Sequence, residues 1–91
     1  MTPDARDLAK SINFAKDRCG KLVLVILDAL DDAEFGSSRI QQENPACTAS
    51  EMDDISAFIL RASNAAEMAG IMLDLALQKL RAKTDIGKEM E

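Results

Sequence analysis

The stretch KLVLVILDALDDAEFG, Lys21–Gly36, sets six apolar residues in an unbroken row and follows them with four acids in seven positions. Read as helix, the row LVLVIL is apolar on every side, so one neighbouring helix does not cover it. The acids then crowd a helix that should be close to its end, because Gly36 suits the left-handed C′ position. The reading of the whole chain follows from what can bury that row and what can use those acids.

Upstream, Thr2-Pro3-Asp4 reads as a helix start, with a Thr N-cap, Pro at the first helical position and an acid in the first turn. The first helix is expected over about 3–35. The polar connection GSSRIQQENPAC follows, in which Asn44-Pro45 blocks further helix and Ser38–Glu43 has room for one turn with Ile40 tucked inward. Thr48-Ala49-Ser50-Glu51 is a capping box, with Cys47 and Met52 placed as its hydrophobic staple. The second helix is expected over about 49–83, after a loop at 36–48, and residues 84–91 read as a flexible C-terminal tail. Residues 1–83 thus form a single helical-hairpin domain.

Each helix carries an apolar seam in alternating steps of three and four. The spacing selects Ala5, Leu8, Ile12, Ala15, Cys19, Leu22, Ile26, Ala29 and Ala33 in the first helix. In the second it selects Met52, Ile55, Ile59, Ala62, Ala66, Ala69, Leu73, Ala76 and Leu80. Folding the chain back pairs residues whose numbers sum to about 85, with large side chains meeting small ones and a narrow waist at Cys19 and Ala66. Gly20 and Gly70 lie beside that waist, where a missing side chain permits close approach.

The seam leaves apolar flanks uncovered: Val23, Leu27 and Leu30 on the first helix, and Phe58, Ala65, Met68, Met72 and Leu75 on the second. A second copy is the plainest cover, since a chain of 91 residues buries too little of its own surface to be comfortable alone. The expected fold is therefore all-α, an antiparallel two-helix hairpin paired as a homodimeric four-helix bundle, with those eight residues in the dimer interface. The rival use of the flanks is as a docking groove for a different protein.

The charge is as uneven as the hydropathy. From Asp28 to Asp54 the chain holds eight acids and one base, Arg39, a net −7, whereas the remainder is +2 and the whole chain −5. Glu51, Asp53 and Asp54 sit at a helix N-terminus, which favours negative charge. Asp28, Asp31, Asp32 and Glu34 have no such reason, and at the end of the first helix they would oppose its dipole. Three uses compete: a solvated surface that keeps an oily protein soluble, a head-to-tail dimer that sets acids against the basic end, and a binding site for a basic protein. For the last, the candidate contact residues are Asp28, Asp31, Asp32, Glu34, Asp53 and Asp54.

Composition removes much else. The chain has no His, which takes away the usual general base and the commonest metal ligand, and no cofactor or metal is expected. Four scattered glycines make no phosphate loop, and the aspartates lack the spacing of a calcium loop. Cys19 at mid-helix and Cys47 beside the loop are too far apart for a disulfide, the first reading as a small core residue and the second as part of the staple. Net negative charge disfavours nucleic acid and anionic membranes alike, and no run approaches the roughly 20 apolar residues of a membrane span. MTPDARDLAK lacks the basic and apolar regions of a secretory signal, so a cytoplasmic location is expected. The expectation is a non-enzymatic protein-binding module, such as an inhibitor, an immunity or antitoxin protein, an anti-activator or a chaperone-type regulator. The alternatives are an assembly module with no separate target, and a bundle that holds an apolar small molecule between Met-lined flanks.

Overall fold

A computed structural model describes residues 4–84, and these form two long helices packed side by side, with no strand among them. α1 spans Ala5–Glu43 and α2 spans Ala49–Lys83, so the connection is only the five residues 44–48. The described rod measures 60 × 23 × 21 Å.

α1 begins later and ends later than its punctuation suggests. Its cap is Asp4, whose carboxylate accepts the Asp7 N–H at 2.9 Å while Asp7 accepts the Asp4 N–H at 3.5 Å. Thr2 and Pro3, read from the sequence as the cap and first turn, lie outside the described residues. At the other end α1 runs straight through Gly36, and no described glycine has a positive φ. A glycine weakens a helix by roughly 1 kcal/mol but ends it only when nothing beyond gains from staying helical. Here Ala33, Ser37 and Ile40 continue the packed stripe, Gln41 donates to Ser37 Oγ at 2.9 Å, and Arg39 pairs with Glu43 at 3.0 Å. The stop is Asn44, whose backbone and side-chain N–H groups both reach the Ile40 carbonyl, with Pro45 behind it.

The loop closes on a turn from the Cys47 N–H to the Asn44 carbonyl at 2.8 Å. Thr48 Oγ1 accepts the Glu51 N–H at 3.2 Å, which is one half of the capping box. The Cys47 thiol meets Met52 Sδ at 3.3 Å, and Met52 is buried, so these two side chains pin the start of α2 against the loop. At the far end Thr84 caps α2 by donating its hydroxyl to the Leu80 carbonyl at 2.7 Å; 84 therefore belongs to the helix end rather than the tail, and 85–91 lie outside the described residues.

The packed seam is rotated from the one the spacing selected. On α1 the line of buried and half-buried positions runs through Ala5, Ala9, Ile12, Lys16, Cys19, Val23, Ile26, Leu30, Ala33, Ser37 and Ile40, flanked by half-buried Ala15, Gly36 and Gln41. On α2 it runs through Met52, Ser56, Ile59, Ser63, Ala66, Gly70, Leu73, Leu77 and Leu80 to the cap at Thr84, flanked by half-buried Asp74 and Arg81. The steps alternate strictly between four and three, as in a coiled-coil seam. One row of each expected seam survives, Ala5 to Ala33 and Met52 to Leu80. The other row gives way to its neighbour one residue on, so Leu8, Leu22 and Ile55 face outward, between 43% and 50% exposed. The facing pairs shift as well: Lys16 meets Asp74 and Cys19 meets Gly70, so facing numbers sum to 90 and 89 rather than 85.

Each helix offers a row on either side of the surviving one, while a pair of helices uses two. The structure takes Ala9, Lys16, Val23 and Leu30 on α1 with Ser56, Ser63, Gly70 and Leu77 on α2, which brings Lys16 to Asp74 at 2.7 Å, and leaves outside Leu8, Ala15, Leu22 and Ala29 with Ile55, Ala62, Ala69 and Ala76. The resulting core is thin. Leu77 is the one large side chain under 2% exposed among the described residues, and with Ala9 it anchors a cluster of Ala5, Ile12 and Leu80 at the end away from the loop.

Candidate interaction surfaces

The seam divides the rod into two sides. On one, Gly20, Glu67, Asp74, Ile71 and Leu75 line an open groove of about 600 Å³ along the helix interface. Lys16 rises from the seam to donate to Asp74 at 2.7 Å, and Gln78 donates to the other carboxylate oxygen at 2.8 Å. The Lys16 hydrogen bond, then its charge, then the Gln78 hydrogen bond hold the Asp74 carboxyl below the usual carboxylate range. The pair is about two-fifths exposed, so it fixes register and side more than it adds stability. Gly20 does not serve close approach, since a methyl there would meet open space. Its missing side chain instead widens the groove. At Gly70 a methyl would sit 3.7 Å from Cys19 Cβ, an ordinary contact.

The other side is apolar and smooth. In an antiparallel pair, rows on the same side of both seams lie together, so with Gly20, Glu67 and Asp74 on the groove, the opposite face takes Leu8, Ala15, Leu22 and Ala29 from α1 and Ile55, Ala62, Ala69 and Ala76 from α2. The next row out adds Val25, Phe58, Ala65 and Met72, with Arg18, Asp32, Glu51 and Lys79 at its ends. Between Arg18 and Asp32 on α1, and between Glu51 and Lys79 on α2, these two rows hold no charged residue.

Against this map the eight residues expected in a dimer interface do not form one surface. Val23 and Leu30 are half-buried in the seam of their own hairpin. Leu75 lines the groove side, where the helical spacing also places Leu27, and Met68 lies on the outer back of α2. Phe58, Ala65 and Met72 do come together, on the smooth face. The residues that the spacing assigned to the interior instead, Leu8, Leu22 and Ile55, complete that face. The signal for them in the sequence is that their row adjoins the one carrying Val25, Phe58 and Met72.

The acids also disperse. Glu34 precedes the end of α1 by nine positions, so Asp28, Asp31, Asp32 and Glu34 are clear of the last turn and the dipole penalty expected for them does not arise. The helical spacing sends these four onto four different rows. Glu34 and Asp53 share the groove side, Asp32 borders the smooth face, and Asp28, Asp31 and Asp54 point away from the hairpin. All six are exposed, and the ion pairs described do not involve them. They form a belt around the loop-proximal third of the rod rather than a single cluster.

Both thiols are free and half-buried, Cys19 in the seam and Cys47 at the loop. Among the described residues no three His, Cys, Asp or Glu side chains stand close enough to hold a metal ion. Arg18 lies over the Phe14 ring at 5.1 Å and Arg61 over Phe58 at 5.5 Å, so two of the exposed rings are partly covered by cations of their own helix. No helix among the described residues is long and apolar enough to cross a membrane. No protein-family model, curated protein or solved structure matches this chain.

Proposed function

We propose that this chain is a non-enzymatic protein-association module, in which hairpins pair as a homodimeric four-helix bundle and the bundle offers its acidic belt to a protein with a basic surface. The observation that carries this is the quantity of apolar surface the hairpin leaves open: fourteen large apolar side chains among the described residues are between 37% and 89% exposed. Six of them, Leu8, Leu22, Val25, Ile55, Phe58 and Met72, share the smooth face, and pairing of helical hairpins is the simplest arrangement that covers such a face. The acidic belt of Asp28, Asp31, Glu34, Asp53 and Asp54 then lies on the outside of the bundle, where it suits an inhibitor, an antitoxin-like or anti-activator protein, or a chaperone-type regulator.

A second reading is favoured by the dispersal of those acids over several rows: a module whose task is assembly alone, with the belt serving solubility. Light scattering separates association from its absence. The expected mass is that of two copies at both low and high salt, falling to one copy in Leu22→Asp; a single-copy mass for the natural chain removes the proposal. Charge reversal at Asp28 and Asp31 separates the two readings, because it weakens capture of a target from the native cell extract only if the belt is a binding surface.

A further inference from the structure

We infer that the second copy docks on the smooth face carrying Leu22 and Met72, turned end for end, with the twofold axis passing through the layer of Val25 and Ala65. This rests on the association reading and adds the face, the polarity and the register.

The face follows from charge. Taking ions out of water is costly even when they are paired, and the groove side places the Lys16–Asp74 pair and Glu67 at the middle of the rod. The two rows of the smooth face hold no charged residue over their central length and are framed by charges at both ends; the one cation that leans onto them is Arg61, which lies over the Phe58 ring at 5.5 Å from the neighbouring row.

The polarity and register follow from where that frame lies. On α1, Val25 is midway between Arg18 and Asp32, seven residues from each. On α2, Ala65 is midway between Phe58 and Met72, and again midway between Glu51 and Lys79. Val25 and Ala65 have numbers summing to 90, the same as the Lys16–Asp74 pair, so the two midpoints belong to one layer of the hairpin. A single twofold there sets Arg18 against the second copy's Asp32, Glu51 against its Lys79 and Phe58 against its Met72. In the adjacent rows it brings Leu22 onto Ala29 and Ile55 onto Ala76, large onto small. The alternative, with loops at the same end, stacks the −7 segment on itself and presses Asp32 onto Phe58. A face of a rod 60 Å long and 23 Å wide, overlapped over most of its length, hides on the order of 1,000 Å² per copy, against about 800 Å² in a standard stable interface.

The test uses the full chain with a spin label at Ala46→Cys, Cys19 and Cys47 being replaced by Ala, and reads the label separation in the dimer. At 1.5 Å rise per residue the loops stand roughly 60 Å apart if the copies are end for end, and within about 30 Å if they are not. The long distance is expected, and the short one overturns the polarity while leaving association intact. Leu22→Asp is expected to give a single-copy mass and Leu60→Asp, on the groove side, a two-copy mass; the reverse overturns the face. Arg18→Asp should weaken the dimer at least tenfold, and adding Asp32→Arg should restore most of that loss, whereas an additive double loss overturns the register. A natural chain of any mass other than two copies overturns the arrangement, and a single-copy mass overturns the association reading with it.

Discussion

The passage of α1 through Gly36 has a consequence with a definite sign. If the helix ended at Gly36 with a left-handed residue, Gly36→Ala would force a methyl-bearing residue into that conformation, at a cost of roughly 1–2 kcal/mol. In the structure Gly36 is helical, and a Cβ built there meets Ile40 Cδ1 at 3.5 Å, which is ordinary van der Waals contact. The substitution therefore removes backbone entropy from the unfolded chain, adds a contact and strains nothing. The expected gain is about 0.5–1 kcal/mol, the usual difference between Ala and Gly inside a helix. For a chain of this size that raises the melting temperature by about 2–8 °C. The assay is thermal and urea unfolding followed by circular dichroism at one fixed protein concentration, with Gly20→Ala beside it as a second helical glycine whose methyl meets open space. Both variants should be stabilised. Loss of stability in Gly36→Ala with gain in Gly20→Ala would refute the continuous helix and return the loop to 36–48.

Leu77→Ala should cost about 2–4 kcal/mol in urea unfolding, since Leu77 is 1% exposed, while Leu24→Ala, at 65% exposure, should cost under about 1 kcal/mol; equal costs would show that the helices meet in another register. Asp74 has its carboxyl lowered in the folded state by Lys16, so the stability it lends is present above the unfolded carboxylate pKa and is lost as pH falls through the folded value. Asp74→Asn should accordingly lower the melting temperature at pH 7 and flatten its decline on acidification below about pH 4, compared with the natural chain; parallel curves would show that the Lys16 pair is absent in solution.

The hairpin itself was legible because its signals are local and redundant. Thr48, Glu51, Cys47 and Met52 mark the start of α2 within six residues, and Pro45 bars any continuous helix. The end of α1 was not legible, because a glycine is read as a stop by its own preference, whereas its conformation is decided by what lies beyond it. Ile40 and Ala33 have seam to bury, and the Arg39–Glu43 pair supports the added turns. The seam was half legible for a related reason. Leu8 and Leu22 are larger than Ala9 and Val23, but Leu30 and Leu77 are larger than Ala29 and Ala76, so size does not choose between the rows, whereas Lys16 in the chosen row has Asp74 to meet it. That partner lies 58 positions away in the chain, beyond the reach of any local pattern. The same rotation of the seam by one row moved Val23 and Leu30 inward and brought Leu22 and Ile55 out, which altered the candidate face more than it altered the fold.

The row LVLVIL then has an assignment for each side. Val23 and Ile26 meet α2 within the hairpin, Leu22 and Val25 lie on the smooth face, and Leu24 and Leu27 fall towards the back and groove side. A seam with one fully buried large side chain is little to set against the entropy of ordering two helices of 39 and 35 residues, so association would supply a second seam to each helix and tie folding to protein concentration. The acids complete the arrangement by opposing its alternatives. With the net −7 confined to residues 28–54, a loop-to-loop dimer is repelled over a third of its length, while the end-for-end dimer places that segment beside the basic end of the other copy. Charges at Lys16, Glu67 and Asp74 make the groove side costly to bury, so in the proposed bundle a third copy would find no second smooth face and assembly would close at two. In the proposed bundle Asp32 would be occupied within the dimer, and Asp28, Asp31, Glu34, Asp53 and Asp54 would remain outward at both ends, so that the proposed basic target would engage either end of the molecule.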